Sequence, residues 1–209
     1  MTEDKAKNLR LKKFVREQVR DALLKTGRKL VIDKGPEFLT ARKLSEASNT
    51  SVGTIYNTFA TMEDFICAEN VITLKELTTA LKVIIPEENP YVNLNRYADV
   101  FSSFVCNNRN LWMLLYREQL VAPIGGKVQA YKQQICRMET LIDKQAQVMF
   151  ERLNKAERRA ALRVLEMALF AISGFLTGES TKRIRGVNKD NICKLLLNTY
   201  LAGLASLKR

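Results

Sequence analysis

Apolar residues recur through most of the chain at spacings of three and four, with charged residues on the intervening positions, and no segment reads convincingly as a strand. The pattern predicts an all-α protein of nine helices. Residues 5–34 form a long first helix whose drifting apolar stripe is Leu9, Phe14, Val19, Leu23, Leu30 and Val31. Gly35 and Pro36 stop it, one by its permissive backbone and the other by its missing N–H. Thr40 caps a short helix over 41–48, Asn49-Thr50 makes a turn, and Ser51 caps a third helix reaching Phe59. A fourth runs from Met62 toward Ile85, with the β-branched run 83–85 continuing the helical period.

Pro86 and Pro90 mark the clearest internal break. Beyond them helices are expected at 92–107, 109–121, 127–153, 155–177 and 188–207. Breaks are expected at residues 123–126 and in the basic, glycine-containing loop 178–187.

The segment 39–59, LTARKLSEASNTSVGTIYNTF, has the helix, tight turn, helix layout that reads DNA. Each physical demand of that unit is met. The turn needs a residue tolerant of positive φ, and Asn49 is one. The second helix needs a cap, and Ser51 offers a hydroxyl to the N–H of Gly53 or Thr54. Leu44, Ala47, Ile55 and Phe59 supply small or apolar inward positions. Gly53, Thr54, Asn57, Thr58 and in part Tyr56 supply a polar outer face.

Charge agrees. The formal net charge is +12, which favours a polyanion as partner. Residues 1–60 hold 13 Lys or Arg against 7 Asp or Glu, so the basic density lies at the front. Lys5, Lys7, Arg10, Lys12, Lys13 and Arg16 form a basic extension. Two readings stand for it: an arm along the DNA backbone or in a minor groove, or a frayed and solvated helix end.

Composition removes other chemistries. With no histidine, His-based zinc sites, His general bases and Ser–His–Asp catalysis are excluded. Cys67, Cys106, Cys136 and Cys193 are far apart, without a C-x-x-C pair, so reduced and mostly buried thiols are expected rather than disulfides or metal ligands. No paired carboxylates or glycine-rich phosphate loop suggest an enzyme, and no cofactor is expected. The N-terminus lacks a signal-peptide pattern, and the most apolar run, residues 168–176, is too short for a bilayer. A cytoplasmic protein without a membrane partner is expected.

Over residues 20–66 the chain resembles the tetracycline-repressor (TetR) family of bacterial regulators. The resemblance is carried by Gly35, Leu39-Thr40, Arg42-Lys43-Leu44, Ser51-x-Gly53-Thr54-Ile55-Tyr56-x-x-Phe59 and Glu63-Asp64-Phe65. Three positions depart from the family pattern: Asn49 replaces a common turn glycine, Thr58 a common histidine, and Met62 a lysine that holds a phosphate.

The resemblance implies a DNA-binding head over residues 1–61 and a dimerisation and ligand-sensing body over 62–209. It implies DNA-facing roles for Thr40, Arg42, Lys43, Ser51, Val52, Gly53, Thr54, Tyr56, Asn57 and Thr58. Alternatives stay open for several. Thr40 bonds a phosphate or only caps its helix. Arg42, and more weakly Lys43, reaches a guanine edge, a phosphate or only water. Val52 touches a thymine methyl or packs half-buried. Tyr56 bonds a phosphate or joins the core, and Asn57 reads an adenine or faces water.

In that family the last two helices of each chain form a four-helix dimer interface. Here Leu165, Leu169, Ile172 and Leu176 on one helix, and Leu196, Thr199 and Gly203 on the other, are the matching candidates, with Gly174 and Gly203 permitting close approach. A small-molecule effector would bind among the middle helices. Tyr97, Phe101, Phe104, Trp112, Tyr116 and Met149 are the candidate lining, with ordinary core packing as the alternative. The expected function is a repressor that binds a palindromic operator as a homodimer and is released by ligand. The competing reading is a TetR-fold interaction protein or non-specific DNA binder.

Overall fold

The computed structural model describes residues 2–120, 128–146, 153–177 and 189–206. Among these are nine α-helices, a single 3-10 turn and no strand. They are α1 (Thr2–Lys34), α2 (Ala41–Ser48), α3 (Val52–Phe59), α4 (Met62–Lys82), α5 (Pro90–Asn107), α6 (Arg109–Leu120), α7 (Val128–Ala146), α8 (Lys155–Thr177) and α9 (Lys189–Ser206). The expected breaks at 123–126 and 178–187 lie outside the described residues.

The helix boundaries follow from local chemistry. Gly35, at φ 94°, ends α1, and Pro36 opens the 3-10 turn Pro36–Phe38. Asn89 starts α5 by accepting the Tyr91 N–H, and Pro90 takes the first helical position, where no N–H is needed. α4 stops at Lys82, short of the expected Ile85, and Val83 and Ile85 are 75% and 80% exposed. Pro86 disfavours helical backbone at Ile85. Asn93 then pins the connection with two 2.8 Å bonds, accepting from the Glu87 N–H and donating to its carbonyl.

Two apolar clusters organise the packing. One lies in the body, where Leu74, Leu77 and Leu81 of α4 meet Leu94, Trp112, Leu165, Ile172, Leu176 and Leu197. The other joins Leu23, Leu24 and Val31 of α1 to Leu39, Leu44, Ile55 and Phe59, and is completed by Phe65 of α4 and Leu111 and Leu114 of α6. α6 thus belongs to both clusters, since Trp112 and Leu115 face the body. Polar bonds reinforce the junction. Asn110 on α6 donates to the Ile32 carbonyl at 3.0 Å, and Arg117 pairs with Glu37.

Several expectations are corrected by this packing. Phe14 is exposed rather than part of a buried stripe, because the first half of α1 projects beyond the elements that cover Leu23 and Val31. Ala47 is exposed, so Leu44 alone anchors α2. Cys106 and Cys136 are exposed, leaving Cys193 as the buried thiol and Cys67 intermediate. By length and composition α8 would suffice to cross a membrane, with mean hydropathy 1.6 over its most apolar window, beyond the nine-residue run read from sequence. In the fold Leu165, Ile172 and Leu176 of that helix are packed inside the body.

Candidate nucleic-acid interface

The helix-turn-helix is built by its caps. Thr40 Oγ1 accepts the Lys43 N–H at 3.2 Å, and Ser51 Oγ accepts the Thr54 N–H at 3.1 Å. Between them Asn49 takes a left-handed conformation, φ 51° and ψ 36°. Ser45 Oγ donates to the Thr50 carbonyl at 2.6 Å, which closes the turn. α3 is held from below by Ile55 and Phe59, both buried. Phe59 meets Phe65 edge to face with centroids 4.8 Å apart, and the Arg20 guanidinium sits 5.4 Å over its ring.

With that face buried, the opposite face of α3 is open. Ser51, Val52, Gly53, Tyr56 and Asn57 are exposed, while Thr54 and Thr58 are intermediate. Tyr56 is 44% exposed, so it is no core aromatic, and Val52 is 39% exposed. Two hydroxyls are engaged within the helix: Thr58 donates to the Thr54 carbonyl at 2.8 Å, and Thr54 Oγ1 lies 2.9 Å from Ser51 Oγ. Beside α3, Arg42 and Lys43 project from α2, both ion-paired to Glu46, at 3.1 and 2.8 Å. Those hydrogen bonds, from Lys43 first and then Arg42, hold the Glu46 carboxyl below its ordinary value. The pairs are exposed and cheap to exchange for a phosphate.

The extension is continuous helix. Lys5, Lys7, Arg10, Lys12 and Lys13 are exposed along it. Arg16 Nη2 donates to the Asn57 carbonyl at 3.1 Å, so the basic stretch is tied to the outer helix of the unit. A groove between them is lined by Leu11, Val15 and Val19 on one side and Thr54, Asn57 and Thr58 on the other.

A buried carboxylate also stands at the junction of α1 and α4. Glu69 of α4 is 1% exposed. Among the described residues neither of its carboxylate oxygens finds a hydrogen-bond partner, and Arg28 Nη1 of α1 stands 3.5 Å away. Arg28 also donates to Thr73 Oγ1 at 3.0 Å and pairs with Glu76. Burial pushes the Glu69 carboxyl up to about 7, against the pull of Arg28. Sequence reading missed this cluster, because Arg28 on α1 lies 41 positions or more from Glu69, Thr73 and Glu76 on α4 and meets them only across two helices.

The expected effector lining divides. A cavity of about 300 Å³ in the body is walled by Tyr97, Phe101 and Trp112 together with Leu81, Met138 and Phe170 among others. Phe104 is not in that wall and packs edge-on against Trp112, 6.4 Å between centroids. Tyr116 also lies outside it and stacks on Phe170 at 4.5 Å. Met149 lies outside the described residues.

The candidate dimer residues divide as well. Leu165, Ile172 and Leu176 are buried in the chain's own core, Leu169 and Leu196 are partly buried against it, and Thr199 and Gly203 are exposed. Gly174 serves the interior: a Cβ there would lie 2.6 Å from the Tyr116 ring. Gly203 has open space above it. The exposed apolar side chains of these two helices include Val164, Met167 and Leu195.

Comparison with known proteins agrees with this geometry. Residues 23–68 match the model of the bacterial regulatory proteins, tetR family. No curated protein matches the sequence significantly. Solved structures with the same fold include the transcriptional regulator SCO7222, a TetR from Streptomyces coelicolor, with TM-score 0.64 and 17% identity over 91% of this chain and 99% of that one. Thermus thermophilus FadR, a TetR-family repressor solved with lauroyl-CoA, gives 0.66 and 15% over 88% and 94%. PfmR, also from Thermus thermophilus, gives 0.62 and 15% over 86% and 97%. Residues 23–68 of this chain are similar to the N-terminal domain of the tetR family, and the described chain as a whole has the fold of the TetR-family transcriptional regulators.

Proposed function

We propose that the protein is a cytoplasmic, ligand-released repressor that binds a palindromic DNA operator as a homodimer. The carrying observation is the division of α3 into two faces. Ile55 and Phe59 lock it to the head, which leaves Val52, Gly53, Tyr56 and Asn57 exposed on a basic surface. In this reading α3 enters the major groove, with Gly53 permitting close backbone approach and Tyr56 bonding a phosphate. Thr40, Ser51 and Thr54 present the first turns of α2 and α3 to the backbone, and Arg42 and Lys43 exchange Glu46 for DNA. Thr58, with its hydroxyl engaged in α3, contributes less.

The head comprises residues 1–61 and the body 62–209, with Phe65, Leu111 and Leu114 reaching across to complete the head's core. Two copies meet through α8 and α9. The exposed Val164 and Leu195 join Thr199 and Gly203 in that contact, while Leu165, Ile172 and Leu176 stiffen the helices from within. The effector occupies the body cavity. FadR of Thermus thermophilus, of the same fold, was solved with lauroyl-CoA, a precedent for ligand binding in such a protein. Trp112 walls the cavity, while Leu111 and Leu114 of the same helix pack on the head, so filling the cavity biases the head's position.

Selection of bound duplexes from a random pool tests the DNA reading. The expected product is a palindrome with half-sites about 10 bp apart or a multiple of that. Arg42→Ala then relaxes the preference at one base pair by about 1–3 kcal/mol. Recovery of unenriched sequence would leave an interaction protein or a non-specific binder.

A further inference from the structure

The body cavity carries information about its occupant. Its wall includes Leu81, Tyr97, Phe101, Trp112, Met138 and Leu197, and no charged side chain among the described residues lines it. A carboxylate, phosphate or ammonium placed there would lose its hydration with no counter-charge in return. The polar groups that the wall does hold are few. Tyr97 brings a phenol that burial keeps protonated. Trp112 brings an indole Nε1–H that is buried and has no acceptor among the described residues. A donor without a partner is unfavourable unless a ligand atom satisfies it.

Size sets a second limit. The cavity of about 300 Å³ is at the small end for ligand sites. Met167 is the strongly exposed member of the wall, at 71%, so the cavity reaches the surface along α8.

We propose that this cavity selects a small, uncharged, predominantly aliphatic or aromatic molecule with one hydrogen-bond acceptor, such as a medium-chain alcohol or ketone. The inference rests on the reading of the cavity as the effector site. It disfavours medium-chain carboxylates and amines of equal length wherever their charged ends enter the cavity, because those ends find no partner among the described residues of the wall.

Trp112 is the protein's single tryptophan, so its emission reports the cavity directly. The full chain is titrated at pH 7.5 with 1-nonanol, nonanoate and 1-aminononane below their aggregation limits, in the absence of DNA. Saturable change of Trp112 emission by 1-nonanol at one molecule per chain is expected, with both charged analogues at least tenfold weaker. Ala98→Leu places a larger side chain in the wall and is expected to abolish saturation. An unchanged helical circular dichroism spectrum and melting temperature show that this variant is folded.

Equal or tighter binding of nonanoate overturns the proposal, as does saturation that survives in folded Ala98→Leu or the absence of saturation by 1-nonanol. The same titration with a selected operator present separates the two readings. Binding of 1-nonanol without loss of DNA supports the ligand class and rejects ligand-released repression.

Discussion

A Cβ placed on Gly27 would stand 2.7 Å from Cε1 of Phe65, and nearer still to its Cζ. Gly27 lies in the middle of α1, where glycine ordinarily weakens a helix. Here it lets α1 and α4 close on each other, so the first helix of the head seats against the first turns of the helix that leads into the body. Phe65 is fully buried, and its ring packs edge to face against Phe59, so moving it disturbs the core.

The first prediction concerns this pair. In an open helix Gly27→Ala would stabilise by about 1 kcal/mol through helix propensity. Against Phe65 the expected sign is reversed, with a loss of about 1–3 kcal/mol from overpacking. Thermal unfolding reads the difference as a drop of roughly 2–4 °C per kcal/mol. A melting temperature above that of the wild type would show that the ring yields freely.

The buried carboxylate gives a pH-dependent prediction. Unfolded, Glu69 ionises near its ordinary 4.5; folded, it does so only near 7. Between those values the native state holds more protons than the unfolded state, so this group's contribution to stability falls as pH rises through the window. The loss is complete above 7 and absent below 4.5. Glu69→Gln cannot lose a proton, so relative to wild type it gains on the order of 3 kcal/mol between pH 4.5 and 7.5. Urea unfolding of both proteins across that range measures it. Parallel pH profiles would mean that Arg28 compensates the charge fully.

For the DNA-binding extension the expected readout is salt dependence. Deleting residues 2–13 removes Lys5, Lys7, Arg10, Lys12 and Lys13 but spares Arg16 and the head's core, since the residues described in that stretch are exposed. Affinity should fall across all sequences, and the slope of log K against log salt should flatten by about 0.9 for each phosphate that the extension neutralises. Fluorescence anisotropy on operator and random duplex reads both. An unchanged slope would leave those cations as solvated surface.

Dimerisation makes the fourth prediction. Val164 and Leu195 are 53% and 63% exposed in the single chain, so replacing them costs little intrachain packing. The double variant Val164→Glu, Leu195→Glu should sediment as a folded monomer while the wild type sediments as a dimer. It should also lose operator affinity, because two linked heads bind far more tightly than one. A variant that remains dimeric would place the interface on another face.

Local physics made much of the head legible. Thr40, Asn49 and Ser51 act at short range, through a cap, a left-handed turn and a second cap, and neighbouring residues suffice to recognise them. The same holds for Gly35-Pro36, although the end of α4 moved because Pro86 acts backward on Ile85, and α5 begins at Pro90 behind the Asn89 cap rather than at residue 92. Partner choice was less legible. Ala47 has the right size and helical position for an inward residue and still faces solvent. Ala60 adopts φ 57° at the α3–α4 junction, which no residue-type preference foretells. Gly174 has the small size expected at a dimer seam, yet its missing Cβ accommodates Tyr116 of the same chain.

The amino-acid order alone therefore determined nine helices, the caps of α2 and α3 and the position of the helix-turn-helix, since periodicity and capping are properties of neighbours in the chain. Tertiary packing decided which apolar faces turn inward, so that Leu165 and Ile172 are core while Val164 and Leu195 are surface. It also brought Arg28 to Glu69, enclosed a cavity beside Trp112 and set α6 between that cavity and the head. Each of these depends on the distance between helices remote in sequence, and an apolar stripe records that a face is to be covered without recording by what.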